Sequence, residues 1–91
     1  MRIRWDYNDD YLCCRRYLEC ALDVTAYYGR DRLAHELSKS LPKFPISSIY
    51  MKLSNIKQIA NEEKVSGCED ISSLYQYSRQ CRDAFKKLIK N

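Results

Sequence analysis

The sequence predicts an all-α protein: a compact bundle of four helices with a helix-turn-helix-like centre. Its 91 residues suffice for one domain, residues 1–91, that buries about 60–65% of its unfolded surface. Only two glycines and two prolines occur, and 45% of the residues are hydrophobic, which favours a helical fold. Four segments repeat apolar residues at intervals of three and four. These segments predict helices near residues 8–23, 30–41, 47–61 and 71–89.

The first predicted helix follows Asn8, Asp9 and Asp10, which can cap a helix and complement its dipole. Its apolar positions are Tyr11, Cys14, Leu18, Ala21 and Leu22. Trp5 is expected to pack back over this helix as part of the core. The helix is expected to fray towards Gly29, which would end it in a C-cap conformation.

The second and fourth helices have clear apolar stripes. The second is expected to begin at Asp31 and to bury Leu33, Ala34, Leu37 and Leu41. His35 lies near the opposite side of this stripe and is expected to be solvated. The stripe of the fourth helix comprises Ile71, Leu74, Ser78, Cys81, Phe85, Leu88 and Ile89, with Asp70 or Ser72 as the cap. A second stripe beside it carries Arg79, Arg82, Lys86 and Lys90, for which a solubilising rim is the alternative interpretation.

The functional prediction rests on residues 41–61. Pro42 and Pro45 predict a stiff turn, after which Ser47 or Ser48 can cap a helix. The apolar stripe of that helix is Ile49, Leu53, Ile56 and Ala60, and its opposite face carries Ser47, Tyr50, Ser54, Lys57, Gln58 and Asn61. A helix, a tight turn and a helix with an uncharged-to-basic outer face are typical of a helix-turn-helix. The alternative is the solvated face of an ordinary core helix.

The net charge of +4 is modest but unevenly distributed. Residues 43–61 hold three lysines and no acid, and residues 71–91 hold five basic side chains against Asp83. This distribution is compatible with a phosphate-facing surface, and an acidic protein partner would suit it as well. Eight tyrosines are too many for the core, and exposed tyrosine suits base stacking or a protein interface.

The sequence does not indicate an enzyme, a cofactor or a metal. None of the five cysteines belongs to a Cys-x-x-Cys pair, and His35 has no ligand partner at a useful spacing. We therefore interpret the cysteines as structural thiols in a reducing compartment. There is no nucleophile–base pair and no glycine-rich phosphate loop. The absence of a membrane-spanning apolar run and of a signal peptide core predicts a cytoplasmic protein with no membrane partner.

Several short matches in a fixed order point to a known family. They are Trp5, Asp9-Asp10, Tyr17-Leu18, Leu41-Pro42, Ser48-Ile49 and the run from Met51 to Ile56. In this order the chain resembles the small helical module that precedes the nuclease domain of HNH endonucleases in restriction and mobile-element systems. Its Trp-x3-Asp opening is also similar to Myb/SANT-type three-helix domains. The resemblance covers roughly residues 5–65, and residues 48–56 are its most specific part.

The resemblance implies a DNA-targeting module without its nuclease domain, because the chain has no second histidine and no Asn/His cluster to hold a metal. We predict a small non-catalytic DNA-binding protein, borne by a phage or mobile element, whose partner is double-stranded DNA. Specific binding is expected to need a homodimer or a fused partner, because one helix pair buries little surface. The predicted contacts are Ser47, Tyr50, Lys52, Ser54, Lys57, Asn61, Arg79, Arg82, Lys86 and Lys90.

The alternative prediction is a phage-encoded protein that binds and inhibits a host defence nuclease, as anti-CRISPR or anti-restriction proteins do. Its interface would use exposed tyrosines and arginines, which are enriched at interaction hot spots.

Overall fold

Four α-helices and a short 3-10 helix make up the regular structure of residues 3–90, the part of the chain that the computed structural model describes. The elements are α1 (Tyr7–Leu22), a 3-10 turn (Val24–Ala26), α2 (Arg30–Ser40), α3 (Ile46–Glu62) and α4 (Arg79–Ile89). Within residues 3–90 there is no strand. The predicted all-α bundle is confirmed, and the first three helices lie close to their predicted bounds.

The central element is α3, which packs against α1, α2 and α4. Its predicted stripe of Ile49, Leu53, Ile56 and Ala60 is fully buried. The apolar residues predicted for α2 are buried as well, and His35 is exposed as expected. The core is therefore built around the apolar face of α3.

α1 and α4 run side by side in the same direction. At their first turns, Gln80 Nε2 donates to Asp10 Oδ2 at 2.8 Å. One residue further along α4, the Sγ atom of Cys81 lies 4.0 Å from that of Cys14 in the middle of α1. At their last turns, α1 and α4 line the same groove. The contacts at the two ends show that α1 and α4 are parallel neighbours.

The caps of α1 and α3 differ from those predicted. Asp6, rather than a residue of the cluster at 8–10, caps α1, and it forms a capping box with Asp9. Pro45 is the N-cap of α3, and no side chain caps this helix. The Pro45 carbonyl accepts from the N–H groups of Ser48 and Ile49 at 3.0 and 3.4 Å. The fixed φ of Pro45 positions that carbonyl, so neither Ser47 nor Ser48 is needed as a cap.

Gly29 begins α2 instead of ending α1. The first helix stops at Leu22, and Asp23 accepts from the N–H and hydroxyl of Thr25 as the chain enters the 3-10 turn. Gly29 then takes a φ of +103° as the N-cap of α2. The φ of Gly29 is one that glycine adopts readily, which explains glycine here.

The fourth helix begins at Arg79, not near residue 71 as predicted. Residues 63–78 have no helix or strand, and we call them the connecting segment. Cys68 and Ile71 of this segment are buried, so its apolar spacing reflects core packing without a helix. Ser78, rather than Asp70 or Ser72, is the N-cap, and its Oγ accepts from the Cys81 N–H at 3.1 Å.

Candidate nucleic-acid interface

The outer face of α3 is exposed mainly at its ends. Ser47 and Asn61 are exposed, and Tyr50 and Ser54 are half-buried. The Tyr50 hydroxyl donates to Asp31 Oδ1 of α2 at 2.8 Å. This hydrogen bond raises the pKa of Tyr50 and lowers the pKa of Asp31. The Tyr50 side chain was predicted to contact DNA. Its hydroxyl is instead used within the fold, where it joins α3 to α2.

Lys52, one of the predicted DNA contacts, lies in the interior instead. Its side chain is 6% exposed, and Nζ lies 2.7 Å from Oδ1 of Asp10, which is 0% exposed. The ammonium also lies 4.6 Å from the ring centroid of Trp5. Trp5 stacks on Phe44 at 3.9 Å, so it packs against the turn before α3. The ammonium of Lys52 is therefore occupied by Asp10 and is not available at the surface.

Lys57 is buried as well. Its Nζ donates to the Gly67 carbonyl at 2.8 Å and lies 3.6 Å from Glu69 Oε2. Both partners belong to the connecting segment. Lys57 therefore holds this segment against α3, and the prediction of a free lysine at the centre of the outer face is wrong.

The connecting segment also covers the middle of α3. The Ser54 carbonyl accepts from the Leu74 N–H at 3.0 Å. The Asn55 carboxamide faces the carbonyls of Leu74 and Gln76, to which its nitrogen donates at 3.2 and 2.8 Å when oriented towards them. Near the end of α3, the Tyr77 hydroxyl donates to Glu62. The surface that α3 offers to a ligand is consequently smaller than its helical pattern suggests.

Positive charge is concentrated on α4 and its C-cap. Five basic side chains project from this helix: Arg79, Arg82, Lys86, Lys87 and Lys90. None of them forms an ion pair with a carboxylate of residues 3–90. Asp83 is the only acid between positions 79 and 90, so this stretch carries a charge of +4. The other eleven basic residues of the chain are matched by eleven acidic ones, so α4 accounts for the whole net charge.

Most cations elsewhere are paired. Ion pairs within residues 3–90 engage Arg16, Arg30, Arg32, Lys43, Lys52 and Lys57. Of the five cations of α4, only Lys87 was absent from the predicted contacts, because it lies beside the stripe of the other four. Its charge and its place next to that stripe were visible in the sequence.

The basic helix adjoins the outer face of α3. Ser78, the N-cap of α4, lines a cleft of about 420 Å³ together with Ser48, Met51 and Asn55 of α3. At the other end of α3, a hydrogen bond from Tyr77 lowers the pKa of Glu62, and the charge of Arg82 adds to this effect. The amino-terminal end of α4 therefore lies close to α3.

Half of the tyrosines are used inside the fold. Tyr17 is buried, and the hydroxyls of Tyr27, Tyr50 and Tyr77 donate to Asp70, Asp31 and Glu62. Tyr7, Tyr28 and Tyr75 are exposed. Few tyrosines are therefore left for base stacking or for a protein interface.

The cysteines behave as small hydrophobic residues. All five are free and buried. Burial raises the pKa of the Cys13 and Cys68 thiols to about 12 each, which disfavours the nucleophilic thiolate. In residues 3–90, no three His, Cys, Asp or Glu side chains come together as metal ligands would. The helices of the same region are too short or too polar to cross a bilayer.

Neither protein-family models, nor curated proteins, nor solved structures give a match to this chain. The resemblance to the HNH-associated module stays a prediction.

Proposed function

We propose that this is a small non-catalytic protein that binds double-stranded DNA and holds its phosphate backbone with α4. The location of the net charge carries the proposal: all of it lies on one helix, whose cations have no ion-pair partner in residues 3–90. Arginine and lysine side chains on one helix face release counterions when they neutralise phosphates, and this release drives binding. The internal pairing of most other cations favours α4 as the site of contact.

In this proposal α3 lies against the DNA beside α4, as the second helix of a helix-turn-helix-like pair. Its exposed Ser47, Met51 and Asn61 are the side chains free to approach the bases. The cleft shared by Ser78 and α3 supports this arrangement, because it puts the basic helix next to that face. Sequence preference would then come from few contacts, and affinity mostly from α4.

Two variants with equal net charge test the role of α4. The first replaces Arg79, Arg82 and Lys86 by Gln, which keeps helix propensity and removes three charges from α4. The control replaces Arg4, Lys39 and Lys64 by Gln, three cations outside α4 that form no ion pair within residues 3–90. Fluorescence anisotropy with a labelled random duplex at 50 mM salt should show a loss of about tenfold or more for the first variant. The control should stay close to wild type.

Equal losses in the two variants would show that net charge alone, rather than α4, governs binding. No binding of wild type to the duplex at 50 mM salt would refute the proposal.

A second candidate function is inhibition of a host defence nuclease by protein binding. It is favoured by Tyr28 and Tyr75, whose side chains are 70% and 81% exposed and make no hydrogen bond within residues 3–90. Exposed tyrosine suits a protein interface. The test is whether the purified chain inhibits a defence nuclease without binding DNA. Loss of this inhibition in Tyr28→Ala or Tyr75→Ala would favour this function.

A further inference from the structure

An apolar groove runs between the carboxyl-terminal halves of α1 and α4. It has a volume of about 390 Å³, and its apolar lining is Leu18, Leu22, Val65, Leu88 and Ile89. Two charged residues of α1, Arg15 and Glu19, border it. The groove is separate from the outer face of α3 described above.

The groove leaves apolar surface in contact with solvent. Leu22, the last residue of α1, is 76% exposed, and Ile89 is also exposed. Positions 15, 18, 19 and 22 lie on one face of α1, because they are separated by three or four residues. An apolar strip bordered by charges on a helix face is the kind of surface that packs against another helix.

The two charged residues at the border of the groove are complementary to the same two residues of a second copy of the chain. Arg15 forms no ion pair within residues 3–90, and Glu19 uses only Oε1, which accepts from Arg16 at 2.6 Å. Arg15 and Glu19 lie one helical turn apart. When a second copy of this face packs against the first in the antiparallel direction, the cation of each copy faces the anion of the other. A two-fold contact uses each such pair twice, whereas a partner of unrelated sequence would need its own matching charges.

We infer that two copies of this chain associate through the groove, with their α1 helices antiparallel and the two-fold axis close to Leu18. This arrangement packs Leu22 of each copy against the partner's Leu18 and the aliphatic stem of the partner's Arg15. It also brings each Arg15 within reach of the partner's Glu19. The contact involves few side chains, so we expect a weak dimer at the low end of specific interfaces, about 1,200 Å² or less in total.

Sedimentation velocity over about a hundredfold range of protein concentration tests the inference, with no nucleic acid present. The mass of the wild-type chain should rise with concentration from 10.8 kDa towards twice that value. Leu22→Lys should weaken association about tenfold or more, because it brings a charge into the apolar contact. Val24→Lys is the matched control: Val24 is 81% exposed but does not line the groove, so its variant should associate like wild type.

Charge reversal tests the antiparallel arrangement. Arg15→Glu and Glu19→Arg each set like charges against one another across the axis, so each alone should weaken the dimer. The double variant should restore it. Circular dichroism of each variant confirms that the helices persist, which the exposure of these side chains leads us to expect.

A wild-type mass that stays at 10.8 kDa at all concentrations would overturn the inference, as would equal effects of Leu22→Lys and Val24→Lys. A double charge reversal that associates no better than the single ones would overturn the antiparallel geometry. Because DNA is absent, these outcomes leave the proposed function untouched.

Discussion

At the scale of single residues, the buried pair of Asp10 and Lys52 connects three helices. Asp10 belongs to α1, Lys52 to α3, and Gln80 of α4 donates to the second oxygen of Asp10. Two buried charges are costly to desolvate, so such a pair contributes little net stability relative to apolar residues. Removing one partner, in contrast, leaves an uncompensated charge in the core.

We therefore predict that Asp10→Ala lowers the free energy of unfolding by about 3–5 kcal/mol. The double variant Asp10→Leu/Lys52→Met should recover most of this loss, because it replaces both charges with apolar side chains. Urea denaturation followed by circular dichroism measures both effects. A loss of less than about 1 kcal/mol for Asp10→Ala would be that of an exposed pair and would contradict the burial of Lys52.

The burial of Lys52 and Lys57 explains why part of the site could not be predicted. Local apolar spacing identified Ile49, Leu53 and Ile56 correctly as core. It gave no sign that the buried face of α3 is wide enough to include the two lysines beside this stripe. Their partners, Asp10 and the connecting segment, are distant in sequence, and helical periodicity carries no information about such contacts.

At the scale of elements, the connecting segment acts as a packed part of the fold. It buries Cys68 and Ile71 and accepts a hydrogen bond from Lys57. Gly67 lies close against α1: a Cβ at this position would lie 2.7 Å from the Ala21 Cα, and its φ is +124°. Both the contact and the backbone conformation require glycine.

We predict that Gly67→Ala lowers the free energy of unfolding by about 2–5 kcal/mol, from backbone strain and steric overlap together. Gly29→Ala is the matched control. It also has a positive φ, but the nearest atom to its Cβ would be Asp70 Oδ2 at 3.9 Å, so only the strain of about 1–3 kcal/mol applies. Thermal and urea unfolding rank the two variants. A smaller effect at Gly67 than at Gly29 would contradict the close packing on Ala21.

The same segment explains the error in the start of the last helix. Ile71, Leu74 and Ser78 continue the spacing of Cys81 and Phe85, so the pattern alone favours one long helix. Ile71 is buried although its chain segment is irregular, and Leu74 is 38% exposed. The first three helices were predicted close to their observed bounds. The sequence marks the start of α3 by Pro45 and the start of α1 by the acidic residues from Asp6 to Asp10. The cue missed for α4 was Ser78 as a capping residue.

At the scale of the whole molecule, three tyrosine–carboxylate hydrogen bonds connect the elements. They join Tyr27 to Asp70, Tyr50 to Asp31, and Tyr77 to Glu62. The hydrogen bonds from tyrosine lower the pKa values of Asp31 and Glu62. Burial acts in the opposite direction at Asp70, but hydrogen bonds from Tyr27 and the Arg30 N–H outweigh it and lower its pKa too. The pKa of Tyr27 is raised by burial and then by its bond to Asp70, and those of Tyr50 and Tyr77 by their bonds to carboxylates.

These shifts predict two limits to stability. Carboxyl groups with lowered pKa values stabilise the fold above their ordinary values of 3.8 and 4.5, and this contribution is lost as pH falls below them. Tyrosines with raised pKa values stabilise the fold below 10.0, and this contribution is lost as pH rises above that value. Urea midpoints should therefore be nearly constant from pH 5 to pH 9 and fall on both sides.

The control for this prediction replaces Tyr27, Tyr50 and Tyr77 together by Phe. Removing the three hydroxyls should flatten both limbs of the pH profile. An unchanged profile would show that other groups set the two limits.

The distribution of charge is the feature of the whole molecule from which function is proposed. Sequence composition gave the net charge and the basic stripe of the last helix. The structure adds that the cations of α4 have no ion-pair partner within residues 3–90, whereas Lys52 and Lys57 of α3 do. We therefore expect fewer phosphate contacts from α3 than the sequence predicts, and α4 becomes the main candidate for contact with phosphate.

The most direct test is the slope of log Kd against log salt for a random DNA duplex between 50 and 200 mM. Four or five phosphate contacts predict a slope of about 4, because each contact contributes about 0.9. Replacing Arg79, Arg82 and Lys86 by Gln should reduce the slope to about 1–2, and replacing Arg4, Lys39 and Lys64 should leave it near the wild-type value. A wild-type slope near zero, or the same reduced slope in both variants, would contradict binding of the DNA backbone by α4.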